Sequence, residues 1–159
     1  QSKVDPDEMV FHMNNDLNNT KTAGMFVTSI VGEYNLITDE IRWVNAGHQP
    51  AILRNGHGKY DQFESSAPPL GVIKQKDKSV YNIHKTKLNG SRFYAFTDGL
   101  SESLNDKGEE IGIDGSIGII EQNFNKDTVK QLDSITQSVI GTSQNQKLSD
   151  DLTLISIGK

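Results

Sequence analysis

The chain has 159 residues, of which 34% are hydrophobic and 23% charged, a composition that suits one globular domain with a buried core. Its formal net charge of −5 argues against nucleic acid or an anionic membrane as the main partner, because both attract cationic surfaces. Cysteine is absent, which excludes disulfides and thiolate sites, and no apolar run reaches the length of a membrane span, so we expect a cytoplasmic protein.

The first predicted elements are one helix and two hairpins. Asp5-Pro6-Asp7-Glu8 is typical of a helix start, and apolar residues follow at helical spacing until the Asn- and Thr-rich run 14–21 breaks the pattern. The β-branched and aromatic residues that come next predict two pairs of strands, at 25–34, 40–46, 50–54 and 59–64.

The second half of the chain is predicted to hold more strands and then helices. A loop at 65–77 contains three Pro or Gly residues, and the segments after it are predicted as strands at 79–88 and 91–97, helices near 117–123 and 129–139, a polar loop at 141–149 and a closing strand at 152–157. Antiparallel strands with helices grouped towards both ends of the chain predict an α+β domain rather than alternating βαβ units.

Two carboxylates are placed where strands end. Asp98 follows the strand that carries Phe93, Tyr94 and Phe96, with Gly99 expected to permit a sharp turn beside it, and Asp150 precedes the last strand. Carboxylates that converge at one rim of a sheet repel each other unless a divalent cation, which prefers oxygen ligands, lies between them. The alternative is that Asp98 caps the next helix and that 149–151 is an acidic turn.

Several ordered segments resemble one enzyme family. "FTDGLSES" (96–103), followed by "SDDLTLISI" (149–157), is similar to the metal-dependent protein phosphatases of the PPM, or protein phosphatase 2C-like, type. "MFVTSIVGEYN" (25–35), "RWVNAGHQPAIL" (42–53) and "APPLGV" (67–72) resemble the bacterial branch that includes the stage II sporulation protein E phosphatase and the stress-response sigma-factor regulators. The segments are collinear and cover nearly the whole chain.

The resemblance implies an antiparallel β-sandwich flanked by helices, with two Mn²⁺ or Mg²⁺ ions at one end. Asp98, Gly99 and Asp150 match the metal-binding positions, Asp98 and Asp150 being the catalytic ones, and Asp151 is the neighbouring acid in a supporting position. The implied reaction is hydrolysis of phosphoserine or phosphothreonine on a regulatory protein, such as an anti-sigma-factor antagonist, by a water that the two ions activate.

One motif of the family is not found. The family has an earlier Asp followed by Ser-Gly-His-Gly, whereas Gly56-His57-Gly58 here is expected to be a hairpin turn and is out of order. We therefore expect residues 1–159 to be one N-terminally incomplete phosphatase domain, part of a longer regulator with an upstream sensor or receiver domain. Such a fragment should be inactive alone, and an unpaired sheet edge could form a homodimer. The alternative is a non-catalytic module that binds a sigma-factor regulator.

A few other side chains are worth assigning from the sequence. His48 could be a ligand or an acid, but a structural hydrogen bond from a turn is the favoured role, and Trp43 is expected to lie in the core. The only arginines are Arg42, Arg54 and Arg92, and each could hold phosphate or simply lie on the exposed side of a strand.

Overall fold

The computed structural model describes residues 5–20, 24–105, 107–124, 127–142 and 150–158. Over these residues the chain forms four α-helices and seven β-strands, with a 3₁₀ turn at Lys78–Val80. In chain order the elements are α1 Pro6–Thr20, β1 Ser29–Asn35, β2 Glu40–Ala46, β3 Ala51–Arg54, β4 Tyr60–Phe63, β5 His84–Lys87, β6 Arg92–Phe96, α2 Asp98–Ser101, α3 Gly112–Gln122, α4 Thr128–Thr142 and β7 Leu154–Ile157. None of the helices in these ranges has the length and hydropathy needed to cross a bilayer.

The strands of the described residues form two antiparallel sheets. The first sheet has the order β1-β2-β5 and the second has the order β4-β3-β6-β7. Within the second sheet, β6 pairs with β3 on one side and with β7 on the other. The strand that leads into Asp98 is therefore an interior strand, and its neighbour β7 is the strand that follows Asp150.

The two sheets face each other across an apolar core. Trp43 of β2 is 1% exposed, and its ring makes an edge-on contact with Phe93 of β6 at a centroid distance of 5.0 Å. Ala51 and Leu53 of β3 belong to the same cluster. Since side chains alternate along a strand, the residues between these point to the outer faces of the sheets. The prediction that Trp43 is a core residue is confirmed.

Helices cover both outer faces. Tyr94 and Phe96 of β6 pack with Ile120 of α3 and Ile135 of α4, and all four side chains are at most 2% exposed. On the other side, α1 packs on the first sheet through Val10. The result is a helix–sheet–sheet–helix sandwich, which confirms the predicted α+β class.

The prediction that the Asn-rich run ends α1 is wrong. The helix continues to Thr20, and the Asn14 side chain within it is 1% exposed. Asn14 Oδ1 accepts a hydrogen bond of 2.9 Å from the Gly71 amide, and its Nδ2 donates to the Ile73 carbonyl at 3.0 Å. Asn14 therefore stabilises the helix by tethering the 65–77 loop to it, although its intrinsic helix propensity is low.

The predicted strand at 79–88 is shorter in the structure. Its first residues form the 3₁₀ turn, because the Asp77 carboxylate accepts a hydrogen bond of 2.8 Å from the Ser79 amide and caps that turn. Only His84–Lys87 pairs as a strand. The predicted loop at 141–149 overlaps the end of α4, and its residues 143–149 lie outside the described ranges.

Candidate active site

One rim of the sandwich collects strand ends from both sheets. The Ser29–Ala46 pair lies at this end of the first sheet, and the Phe96–Leu154 pair lies at this end of the second. The segments just beyond these pairs are residue 28, residues 47–50, residues 97–98 and residues 150–153. His48 and Thr97, from different sheets, line one cavity of ≈ 100 Å³, so these segments meet across the core. We refer to them together as the rim.

Thr97 connects the two segments that carry the predicted carboxylates. Its amide donates to the Thr153 carbonyl at 3.0 Å, and its hydroxyl donates to the Asp151 carbonyl at 2.9 Å. The same hydroxyl accepts a hydrogen bond of 2.9 Å from the Thr153 amide. These three bonds extend the β6–β7 pairing past the last strand residues. They hold the chain beside Asp98 against the chain that follows Asp150.

Gly99 brings the same two segments into direct contact. A Cβ atom built on Gly99 would lie 2.5 Å from the carbonyl oxygen of Asp151 and 2.9 Å from its carbonyl carbon, closer than real Cβ atoms approach. Gly99 is not among the glycines with positive φ, so the change from β6 to α2 does not depend on the left-handed conformations that glycine allows. The residue is required here because only glycine permits this backbone approach.

The predicted ligand role of Gly99 is not favoured by its surroundings. The residue is buried in α2, and its carbonyl oxygen accepts a hydrogen bond of 2.5 Å from the Ser103 hydroxyl. A carbonyl that is buried and already bonded is poorly placed to bind an ion. The contacts give Gly99 a packing role, and its metal-binding role stays a prediction.

The three aspartates of the rim are exposed to solvent. Asp98 is the first residue of α2, and Thr97 occupies the N-cap position, so the alternative that Asp98 caps this helix is wrong. One Asp150 oxygen accepts a hydrogen bond of 2.7 Å from the Asp151 amide, and its other oxygen has no hydrogen-bond partner within the described part of the chain. Because these carboxylates are already exposed to solvent, a cation can reach them without a rearrangement of the fold.

The donor chemistry of Asp98 and Asp150 fits Mn²⁺ or Mg²⁺, which prefer carboxylate oxygens. The number of donors does not complete a site, because the described part of the chain contains no group of three or more His, Cys, Asp or Glu residues arranged to hold a metal ion. Within the described residues, the rim carboxylates are therefore not joined by enough further donors of these types to enclose an ion.

Three of the segments noted in the sequence pack against one another at the rim. Val27 and Leu70 exchange backbone hydrogen bonds of 2.9 and 2.8 Å. Gly47, at φ 68°, lies so close to Pro69 that a Cβ would approach the proline ring to 2.3 Å. The Thr28 hydroxyl and His48 Nδ1 are 3.0 Å apart. The "MFVT", "NAGH" and "APPLG" segments therefore form one packed unit, and His48 makes the hydrogen bond predicted for it.

The three arginines are all bonded to other side chains of the protein. Arg42 Nη1 donates to Asp5 and Glu33 at 2.9 and 3.0 Å. Arg92 Nη1 donates to the buried Gln131 side chain at 2.8 Å. Of the two alternatives for these residues, a structural role is the one the contacts support.

Arg54 makes the strongest of these contacts. Its Nε and Nη2 donate to the two carboxylate oxygens of Glu121 at 2.7 and 3.0 Å, and the Tyr60 hydroxyl donates to the same carboxylate. The hydrogen bonds from Arg54, followed by that from Tyr60, lower the pKa of Glu121 to about 2. Desolvation, and then the hydrogen bond to Glu121, raise the pKa of Tyr60. The Arg54–Glu121 ion pair holds α3 against β3 of the second sheet.

Thr97, Thr28 and Thr153 are functional candidates that residue-type reasoning missed. Threonine is common in strands for reasons of packing, so a single threonine carries little signal by itself. The available signal was position, because Thr97 directly precedes Asp98 and Thr153 lies two residues after Asp151.

Solved structures show the same fold. The SiaA-PP2C domain of Pseudomonas aeruginosa matches with a TM-score of 0.81 at 13% identity, over 96% of this chain and 60% of that chain. The phosphatase domain of the cell fate determinant SpoIIE from Bacillus subtilis, presoaked with Mn, matches with a TM-score of 0.65 at 18% identity, over 99% of this chain and 66% of that chain. The fold is therefore that of a protein phosphatase 2C domain.

Sequence comparison gives the family. Phosphoserine phosphatase RsbU of Bacillus subtilis is 24% identical over 159 residues, which is 98% of this chain and 45% of RsbU. The chain spans less than half the length of the curated relatives it matches. The family described as Stage II sporulation protein E (SpoIIE) matches residues 1–158, and the chain belongs to this family. The resemblance recognised in the sequence is confirmed.

Proposed function

We propose that this chain is the larger part of a metal-dependent phosphatase domain that dephosphorylates phosphoserine or phosphothreonine on a regulatory protein. The observation that carries the proposal is the Thr97 and Gly99 packing, which holds the Asp98 segment against the Asp150–Asp151 segment at the rim. Membership of the SpoIIE family and similarity to a relative named as a phosphoserine phosphatase support it.

Asp98 and Asp150 are the residues that we expect to bind Mn²⁺ or Mg²⁺, with Asp151 in a supporting position. A bound divalent cation would supply two things: a lower pKa for a water that attacks phosphorus, and neutralisation of phosphoryl oxygens. The protein's own part is to fix the carboxylates. Thr97 does this through its bonds to the 151–153 backbone, and Gly99 does it by close packing.

We also propose that the remaining metal ligands come from polypeptide outside residues 1–159. The shortage of donors among the described residues supports this, and so does the shorter length of the chain relative to the matched phosphatase domains, 60% and 66% of which it covers. Between β1 and β7, the edge strands of the two sheets, lies an apolar groove of ≈ 180 Å³ lined by residues such as Ile30, Tyr34 and Ile157. Further strands of the same domain would cover this groove, and a homodimer is the alternative occupant.

The substrate and regulation of the whole protein belong to the same proposal. RsbU is named for its action on phosphoserine, and we extend that substrate class to this chain, with an anti-sigma-factor antagonist as the phosphoprotein. An upstream sensor or receiver domain would control the activity. A non-catalytic module that binds a sigma-factor regulator is the second candidate, and the incomplete ligand set is the observation in its favour.

The test is phosphate release from a phosphoserine peptide by the full-length protein, with Mn²⁺ or Mg²⁺ and after chelation. We expect hydrolysis that needs the metal and that Asp98→Asn reduces at least 100-fold, since the variant loses a charged ligand. Glu102→Gln, a matched change on the exposed Glu102 after α2, should leave it unchanged. A full-length protein that is inactive with every divalent metal but binds a regulator would support the non-catalytic module and overturn the phosphatase.

A further inference from the structure

His48 lies at the rim, held from two sides but with one ring nitrogen unused. Its backbone amide donates to Asn45 Oδ1 at 3.0 Å, and its Nδ1 is 3.0 Å from the Thr28 hydroxyl. Its other ring nitrogen, Nε2, has no hydrogen-bond partner within the described ranges, and it is not among the buried unsatisfied atoms there. The ring is therefore oriented by the fold while Nε2 stays accessible.

The place of this ring is close to the predicted chemistry. His48 lines the ≈ 100 Å³ cavity together with Thr97 and Thr153, the two residues whose mutual hydrogen bonds position the Asp98 and Asp150 segments. The rest of that lining is largely apolar, including Ile30 and Ile155. The accessible Nε2 atom beside this cavity makes no hydrogen bond with the described residues, so it is available to a ligand.

The Thr28 contact is compatible with Nε2 acting as a hydrogen-bond donor. When the Thr28 hydroxyl donates to Nδ1, the neutral ring carries its proton on Nε2, which then acts as a hydrogen-bond donor. Phosphoryl oxygens are strong acceptors. Arginine is the usual donor to phosphate, but Arg42, Arg54 and Arg92 are each bonded elsewhere in the protein. Besides these arginines, an accessible imidazole N–H at the rim can donate to a phosphoryl oxygen.

We propose that His48 is a phosphate-binding residue of this site, whose Nε2–H donates to a phosphoryl oxygen of the substrate, and that Thr28 is a positioning residue that sets the tautomer and orientation of the ring. This inference rests on the proposed phosphatase function and adds a substrate contact to it. It concerns binding of the phosphoryl group, and it assigns no proton transfer to His48.

Binding of inorganic phosphate to the full-length protein in Mg²⁺, measured by calorimetry, tests the proposal without requiring turnover. His48→Ala should weaken the binding roughly 10- to 100-fold, the loss expected for a hydrogen bond to a charged group. His48→Gln, which keeps an N–H donor, should recover part of it. His57→Ala is the matched control, because His57 lies in the β3–β4 hairpin turn, and it should bind phosphate like the unaltered protein.

A second pair of variants separates positioning from folding. Thr28 is exposed, so Thr28→Val should fold normally while losing the hydroxyl that orients the ring, and it should weaken phosphate binding, whereas Thr28→Ser should preserve it. In kinetics on the phosphoserine peptide, His48→Ala should raise KM more than it lowers kcat.

The outcomes distinguish this inference from the phosphatase proposal. If the peptide is hydrolysed but His48→Ala binds phosphate like the unaltered protein, the role of His48 is overturned and the phosphatase stands. If phosphate binding depends on His48 and Thr28 while no peptide is hydrolysed with any metal, the phosphatase fails and the binding role stands. Absence of phosphate binding by the unaltered protein in Mg²⁺ also overturns the role of His48.

Discussion

The same substitution, glycine to alanine, should have opposite effects in two helices of this protein. In α2, a Cβ at Gly99 would lie 2.5 Å from the Asp151 carbonyl oxygen. In α3, a Cβ at Gly118 would meet no heavy atom within 4 Å apart from the neighbouring backbone of its own helix. Both positions are helical, so alanine brings some gain in intrinsic helix propensity at each, and the contact with Asp151 is present only at Gly99.

The magnitudes follow from the contacts. Relieving the clash at Gly99 requires the α2 backbone or the 151–153 segment to move, and overpacking of this kind costs about 1 to 3 kcal/mol. Gly118→Ala should instead stabilise the protein by about 0.5 to 1 kcal/mol. For a domain of this size, these changes correspond to a Tm lower by about 2 to 12 °C for Gly99→Ala and higher by about 1 to 4 °C for Gly118→Ala.

Thermal unfolding followed by circular dichroism measures the stability, and Mn²⁺ affinity measures the site. Gly99→Ala should also bind Mn²⁺ more weakly, because separating its helix from Asp151 separates Asp98 from Asp150. Gly118→Ala should bind Mn²⁺ like the unaltered protein. If Gly99→Ala is as stable as Gly118→Ala and binds Mn²⁺ normally, the reasoning that this contact aligns the carboxylates is refuted.

Three further predictions concern single side chains. The hydrogen bonds from Arg54, followed by that from Tyr60, lower the pKa of Glu121 from 4.5 to about 2, so ionised Glu121 stabilises the fold above pH 4.5 and this contribution should fade towards pH 2. The free energy of unfolding in urea should therefore depend less on pH in Glu121→Gln than in the unaltered protein. An equal pH dependence in the two proteins would contradict this. Asn14→Ala should lower the free energy of unfolding in urea by about 1 to 3 kcal/mol, because it leaves backbone groups of the 65–77 loop without their hydrogen-bond partner. Asn19→Ala, at an exposed position of the same helix, should lower it by about 0.5 kcal/mol or less. Equal losses would contradict the role of Asn14 in holding the loop on α1. Thr97→Val keeps the shape of the side chain but removes the hydroxyl that bonds to Asp151 and Thr153. We expect the variant to bind Mn²⁺ more weakly in calorimetry and to lose about 0.5 to 1.5 kcal/mol in free energy of unfolding. An unchanged Mn²⁺ affinity would count against the bridging role of Thr97.

The layers of the fold could be predicted from the sequence because strand and helix periodicity is a local property. The strand at 40–46, the core position of Trp43 and the apolar strand ending at Phe96 all follow from alternation of side chains. The Asn-rich end of α1 and the start of 79–88 could not, since both depend on particular side-chain hydrogen bonds. Asn14 bonds a loop 57 residues away, and local propensity carries no information about that contact.

The candidate site also has a part that could be predicted from the sequence and a part that could not. Asp98 and Asp150 were recognisable from residue type, position at strand ends and resemblance. The contacts that hold the Asp98 and Asp150 segments together could not be recognised from the sequence. The Thr97 hydroxyl donates to the carbonyl of Asp151, 54 residues away, and Gly99 packs against the same backbone. A glycine after a strand predicts a turn from sequence alone, and only the tertiary contact shows that it serves close packing instead.

The central claim is that the side chains of Asp98 and Asp150 together bind the divalent cation of a phosphatase site. Calorimetric titration of the full-length protein with Mn²⁺ tests it most directly, with Asp98→Asn and Asp150→Asn compared with Asp114→Asn, an exposed acid in the first turn of α3. We expect both rim variants to lose at least 10-fold in Mn²⁺ affinity, with Asp114→Asn unchanged. Equal Mn²⁺ affinity in all three variants and the unaltered protein would contradict the account.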